Sequence, residues 1–370
     1  MRFIFRTDAS VQIGIGHVMR CLTLADSLRA SGAECVFICR EHKGNLIEGI
    51  RQRGYLVKRL PIDSNEIKYR DCIDISKSGY YTWLGSEWSV DADQTKLEFG
   101  ESMIDWLIVD HYAIDVRWEQ ALRSKCRKLM VIDDLADRQH DCDLLLDQNL
   151  GRMKSDYCSL VPASCNVLVG SHYALLRPEF AKLRDYSLGR RTVSKIKKIL
   201  ISMGGIDQGN ATGRILKALQ GCSLPEDCEI TVIMGSNAPW LKEVNFLVSQ
   251  MNWPTKIKVN AQNMAVLMSN SDLAIGAAGS TSWERCCLGL PTLVFSLADN
   301  QIQIAKNLEL AGVSIYIGSL SGNNLLKLRD KFSQLLSSPD QVSNLSKNAH
   351  STVDGLGVER VCQTLISDQQ

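Results

Sequence analysis

The feature that most restricts this chain is an alternation, run through twice, of short apolar segments with stretches whose apolar residues fall at helical spacing. Residues 3–7 form the first apolar run. A glycine-bearing loop follows, and then Val18, Cys21, Leu22, Ala25 and Leu28 recur at intervals of three and four. Such intervals set one face of a helix against a core, whereas short unalternating apolar runs suit strands buried on both faces. Further runs at 34–39, 106–109, 128–132 and 144–146 alternate with helix-like stretches such as 117–124. A second series begins at residue 199. Its strands are expected at 199–203, 230–234, 257–259, 273–275 and 292–295, with helices near 210–219, 242–251, 263–269, 282–288 and 301–310. Gly289 and Gly312 fall just past two of these helices, where a left-handed residue closes the carbonyl end. The expected class is α/β, with two Rossmann-like doubly wound domains.

At 370 residues the chain is long for one core, which also favours two domains. Five basic residues, Arg190, Arg191, Lys195, Lys197 and Lys198, follow a helix expected at 178–184 and read as a solvated linker. The domains are therefore expected at 1–188 and 196–370, facing a cleft that would collect ligands at the carboxyl ends of both sets of strands. Between 61 and 105 the periodicity weakens into a Trp-rich polar stretch with a small helix at 90–99, an elaboration of the first domain. A formal net charge of +1 leaves no excess to hold a polyanion, which excludes a nucleic-acid partner. No apolar run approaches the ~20 residues of an integral membrane segment. Three apolar residues between Arg2 and Arg6 are too few for a signal peptide, so the cytoplasm is the expected location. Thirteen cysteines without a CxxC pair read as reduced, buried small hydrophobes.

The first candidate for chemistry is Gly14-Ile15-Gly16-His17, between the first strand and the first helix. Glycines let backbone approach a ligand closely, and free N–H groups at a helix start attract anions. Met19 occupies the place of the third glycine of a dinucleotide fingerprint, so no nicotinamide or flavin cofactor is expected. The positive helix end disfavours an imidazolium, which suits His17 to the part of general base. Asp8 and Asp110 both end strands and either could orient His17, although Asp8 reads better as a loop cap. His111 follows the strand that ends at Asp110 and could face the same cleft; His42, His140, His172 and His350 read as surface or hydrogen-bonded residues. Asp91, Asp93, Asp133 and Asp134 read as surface or cap carboxylates, and no metal site is expected. In the second domain, Gly204-Gly205 and the small-residue loop leading through Gly279, Ser280 and Thr281 each follow a strand and open a helix. Two such loops suit a diphosphate held without a Walker lysine, and Glu284, one turn further on, could accept hydrogen bonds from ribose hydroxyls.

Several stretches taken together resemble one known family. They are Gly14-x-Gly16-His17-x-x-Arg20, Asp110-His111-Tyr112, Asp133-Asp134, the run from Cys142 to Asn149, and the run from Tyr173 through Arg177 to Phe180. Gly204-Gly205, residues 276–284 and Ala298-Asp299-Asn300-Gln301 extend the set. The family is that of the UDP-2,4-diacetamido-2,4,6-trideoxy-β-L-altropyranose hydrolases of pseudaminic acid biosynthesis. The resemblance covers all but the final ~40 residues. It implies a glycosyltransferase B-type fold and metal-independent, inverting hydrolysis of a UDP-sugar at its anomeric carbon. By the same resemblance His17 is the base, Glu284 and Asn300 contact the nucleotide, and Arg177 binds substrate. The chain departs from compact members by its extra residues in the 60–105 region. Two other classes share features with this set: a glycosyltransferase using a UDP-sugar donor, and a non-catalytic nucleotide-sugar-binding protein.

Overall fold

The computed structural model describes residues 1–62, 79–100, 103–192 and 195–367. Residues 63–78, 101 and 102 of the expected elaboration lie outside them. The chain divides into two compact units, Met1–Leu175 with Gly357–Gln370, and Leu176–Leu356.

In the first unit the chain runs β1 (Arg2–Thr7), α1 (Gly16–Ala30), β2 (Glu34–Arg40), α2 (Ile47–Gln52) and β3 (Leu56–Leu60). After a 3₁₀ turn at Tyr81–Leu84 come α3 (Trp88–Leu97), β4 (Ile104–Asp110), α4 (Val116–Leu122), β5 (Cys126–Ile132), β6 (Leu144–Asp147) and β7 (Asn166–Val169). The seven strands pair in parallel in the order β3-β2-β1-β4-β5-β6-β7. The apolar runs fill both faces of this sheet. Phe3, Phe5, Phe37, Trp106 and Ile108 join the core under α1, while Ile4, Val36, Ile38, Leu107 and Val109 join Ala92 of α3 and Trp118 of α4. Strand order reverses between β1 and β4, so their carboxyl ends, Thr7 and Asp110, sit side by side. Such a switch point is where an open α/β sheet leaves room for ligands.

The second unit begins with α5 (Pro178–Arg190) and continues β8 (Lys198–Ser202), α6 (Ala211–Leu219), β9 (Glu229–Met234), α7 (Leu241–Ser249) and β10 (Thr255–Val259). Then come α8 (Met264–Ser269), β11 (Leu273–Ala277), α9 (Thr281–Cys287), β12 (Thr292–Ser296), α10 (Asn300–Leu310), β13 (Ile315–Ser319), α11 (Gly322–Leu336) and α12 (Pro339–Thr352). Its parallel sheet has the order β10-β9-β8-β11-β12-β13, with the switch between β8 and β11, where Ser202 lies beside Gly276. Gly289 and Gly312 adopt φ of 60° and 65°, the left-handed closure expected of them. The last helix, α13 (Gly357–Ser367), returns to the first unit. There Val358, Val361, Cys362 and Leu365 enter the core beneath α1, and the Leu365 carbonyl accepts from Trp106 Nε1 at 3.1 Å.

This division differs from the one expected from the basic stretch, at both ends. Helix α5 is tied to the second unit by side chains: Arg184 donates to the carbonyls of Val353 and His350 at 2.9 and 2.7 Å, and Ser187 to that of Leu288 at 2.7 Å. Arg190 and Arg191 are no solvated linker either. Arg190 reaches the Ser269 and Ser271 carbonyls and Asp272, and Arg191 the carbonyls of Met268, Ser271 and Leu288. Burial pulls the Arg191 guanidinium down to about 10. Twelve cysteines fall among the described residues, all free and ten of them buried. No helix among the described residues is long and apolar enough to cross a membrane.

Candidate active site

At the switch point of the first unit, Gly14 turns the chain after β1. Its φ of 80° is the left-handed region that glycine enters without strain, and its N–H bonds the Ser10 carbonyl at 2.9 Å. Ser10 Oγ accepts from the N–H groups of Gln12 and Ile13, which fixes the loop. Gly16 opens α1, and His17 follows in its first turn, 8% exposed. His17 Nδ1 lies 2.6 Å from Asp110 Oδ1 at the end of β4. An ionised carboxylate only accepts, so Nδ1 carries the hydrogen, and in the neutral ring the lone pair belongs to Nε2. Asp110 is ionised: burial pushes it up, but the charge of Arg20 and the hydrogen bonds from Arg20 and His17 hold it far below the usual carboxylate range. Arg20 grips both carboxylate oxygens at 2.6 Å and reaches Asp134 at 2.7 Å. Tyr112 donates to that same Asp134 oxygen at 2.7 Å and sets its ring edge-on to His17, centroids 4.6 Å apart.

Beneath this lies a second layer of buried charge. Asp8 is not a loop cap: it is fully buried, accepts from the Arg40 N–H at 2.6 Å, pairs with Arg6 at 2.8 Å, and lies 3.4 Å from His111 Nε2. Asp91 is not a surface carboxylate. Fully buried on α3, it accepts from Arg6 at 2.7 Å, Arg40 at 2.6 Å and Trp118 Nε1 at 2.9 Å. Asp133 is also buried, bracing the turn after β5 through the N–H of Ala136 at 2.7 Å and Arg138 at 2.9 Å. Only Asp93 is exposed, as expected. His42 and His140 are buried, and His140 is the hydrogen-bonded residue it was expected to be, 2.7 Å from Glu119. Asp134 is likewise no surface carboxylate, since its largely buried side chain accepts from Arg20, Tyr112 and Asn149, and the sequence assigns no role to Arg20 or Tyr112. The one available signal was Arg20, three residues after His17 and hence on the same helix face.

The second unit repeats the switch point with different material. Gly204, with φ of 95°, and Gly205 follow β8, and Gly279, Ser280 and Thr281 follow β11 and open α9. The Gly205 carbonyl accepts from the Gly235 N–H at 2.8 Å, an approach that a side chain on Gly235 would block. Arg285, unremarked in the sequence, is 2% exposed and stitches the loop from below. It donates to the Ala277 carbonyl at 2.8 Å, Ser282 Oγ at 3.0 Å and Thr281 Oγ1 at 3.2 Å. Burial lowers its guanidinium to about 10. Glu284 is 17% exposed, and Arg177 stands 3.7 Å from it while also pairing with Glu179 at 3.0 Å. Burial pushes the Glu284 carboxyl up, against the pull of Arg177. Asn300 begins α10 and is half-buried. Among the described residues no group of three or more His, Cys, Asp or Glu side chains could hold a metal ion.

Residues 210–357 match the glycosyltransferase family 28 C-terminal domain. The crystal structure of Acinetobacter baumannii MurG superposes with a TM-score of 0.66 at 16% identity, covering 99% of each chain. The chain thus has the glycosyltransferase B fold, two Rossmann-like domains, and the stretch similar to the family 28 domain falls almost wholly in the second unit. It is similar to the UDP-2,4-diacetamido-2,4,6-trideoxy-β-L-altropyranose hydrolase of Campylobacter jejuni, 29% identical over 316 residues that cover 85% of this chain and 98% of that protein. An uncharacterised protein of Methanocaldococcus jannaschii is 28% identical over 307 residues, 82% of this chain, which spans 57% of that protein's length. The resemblance drawn from the motifs is therefore found along most of the chain.

Proposed function

We propose that this chain hydrolyses UDP-2,4-diacetamido-2,4,6-trideoxy-β-L-altropyranose to UDP and the free sugar, as a step of pseudaminic acid biosynthesis. The observation that carries the reading is the His17–Asp110 pair: a histidine at a switch point, one ring nitrogen anchored on an ionised carboxylate, the other able to take a proton. In the proposed reaction His17 Nε2 removes a proton from water as the water oxygen bonds to the anomeric carbon from the face opposite the nucleotide. The anomeric C–O bond breaks, its electron pair leaves on the β-phosphate, and the configuration inverts. Asp110 holds the tautomer and steadies the imidazolium that forms.

UDP is a stable anion and leaves without an acid, so one base and a charge-accepting cradle suffice. The two opposed carboxylates that most glycosidases use are then not required. We assign the diphosphate to the backbone amides around Gly204, Gly205, Gly279, Ser280 and Thr281, the ribose to Glu284, and further nucleotide or sugar contacts to Asn300 and Arg177. Gly14 and Gly16 let the backbone of the first loop approach the substrate. The chemistry needs no metal. The family 28 domain match favours one other reading, transfer of the sugar to an acceptor. Purified protein with the UDP-sugar and no acceptor separates the two. Stoichiometric UDP and free sugar, formed at an unchanged rate under saturating chelator, are the expected result. No turnover until an acceptor is added means transfer, and loss of rate restored by magnesium means a metal-dependent reaction.

A further inference from the structure

The first unit contains an aromatic group that the proposed chemistry does not use. In the 3₁₀ turn between β3 and α3, Trp83 stacks on Tyr112 with centroids 5.7 Å apart and ring planes 21° apart. Tyr80, just before that turn, sets an edge against both, at 5.2 Å from Tyr112 and 4.7 Å from Trp83. This segment belongs to the elaboration that makes the chain longer than compact members of the family it resembles. It is firmly seated, because α3, which follows it, is held to the sheet by Asp91 between the buried guanidinium groups of Arg6 and Arg40.

We propose that Trp83, helped by Tyr80, is a positioning residue that sets the ring plane of Tyr112 and through it the direction of His17 Nε2. This rests on the reading of His17 as the base. Asp110 fixes one ring nitrogen of His17 but leaves rotation about that contact, and the near-perpendicular ring of Tyr112, its centroid 4.6 Å from that of His17, blocks it. Tyr112 in turn is tied through its hydroxyl to Asp134, a bond that leaves the ring free to turn about its own long axis. Trp83 removes that freedom by stacking. A base whose lone pair swings away from the attacking water loses rate without losing substrate, since positioning acts on the reacting geometry and not on the affinity. The faces of Trp83 and Tyr80 that meet Tyr112 and each other are already occupied, which argues against their serving as a stacking platform for the sugar.

The test compares Trp83→Ala and Trp83→Phe in the full chain, each shown to be folded by circular dichroism. The first loses the pair with Tyr112 that sets its ring plane, and a pair of this kind, spent wholly on orientation, corresponds to a rate factor of roughly 2 to 10. Trp83→Ala should therefore lower kcat about three- to tenfold with KM within about twofold, and Trp83→Phe, which keeps a stacked ring, should recover most of it. The ring resonances of His17 should shift in Trp83→Ala and return in Trp83→Phe. A rise in KM at unchanged kcat would make Trp83 a substrate contact and overturn the proposal, as would unchanged kinetics with unmoved His17 resonances. If the unaltered protein proves not to hydrolyse the UDP-sugar, the functional reading fails separately. The His17 resonances then decide alone: movement supports the positioning role and its absence rejects it.

Discussion

The two units place their switch points alike and furnish them in opposite ways. In the first, the ends of β1 and β4 carry ionisable side chains locked in buried pairs: Asp8 with Arg6, Asp110 with His17 and Arg20. In the second, the ends of β8 and β11 carry glycine, alanine and serine, and a buried cation near them, Arg285, spends its hydrogen bonds on the loop itself. One fold thus offers a rigid, charged side chain in one copy and approachable backbone in the other. Rigid side chains suit proton transfer, whereas uncovered amides suit a diphosphate. The proposed division of labour between chemistry and nucleotide binding rests on this contrast.

The sharpest way to break it is to remove the base. His17→Asn should lower turnover by at least ~10²–10⁴-fold while UDP affinity, measured by calorimetry, stays unchanged. Near-normal turnover in this variant would return His17 to a structural helix-start residue. On the other side, Glu284→Ala should weaken UDP binding by about 1–3 kcal/mol, the range for a lost charge-assisted hydrogen bond, with a smaller effect on kcat. Unchanged UDP affinity would remove Glu284 from the ribose site.

The smallest effect concerns acid. In the first unit burial pushes Asp8, Asp91, Asp110 and Asp133 up, but Arg6, Arg20 and Arg138 outweigh it and hold all four below the ordinary value, Asp133 at about 2. A lowered folded-state pKa gives stability that is complete above the unfolded value of ~4 and is lost as pH falls through the folded one. In the second unit Asp207 and Glu284 are raised by burial, so their ionisation weakens the fold as pH rises past ~4, and acid relieves it. Asp147 is the exception in the first unit, raised to about 7 by burial and the neighbouring Asp134, and its effect falls between about pH 4 and 7. Lowering the pH from about 4 to 2 should therefore strip hydrogen-exchange protection from the first sheet before the second. Equal loss in both would mean that the buried ion pairs add nothing to the first unit's stability.

How much of this was legible beforehand follows the distance over which each feature is decided. The strand, Gly14, Gly16, His17 order is local, and the sequence places it plainly, as it does Asp110 at the end of its strand. The strands at 56–60, 166–169 and 315–319 went unread because they are short and bordered by polar residues. Asp91 looked like a surface carboxylate because its partners Arg6 and Arg40 lie 85 and 51 residues away, and only the sheet order brings them to it. Arg190 and Arg191 looked like linker charge for the same reason: their acceptors are carbonyls some 80 residues on, and a carbonyl acceptor leaves no mark on composition. The return of α13 was half legible. Val358, Val361, Cys362 and Leu365 have helical spacing, but nothing in them names the first unit as the surface they cover.

The central claim is that His17 activates water against the anomeric carbon, and the position of the solvent oxygen in the products tests it most directly. Hydrolysis of the UDP-sugar in ¹⁸O-labelled water, followed by mass spectrometry of both products, should put the label on the free sugar and leave UDP unlabelled. Label on UDP would mean attack at phosphorus and would contradict the account, whatever the behaviour of any variant.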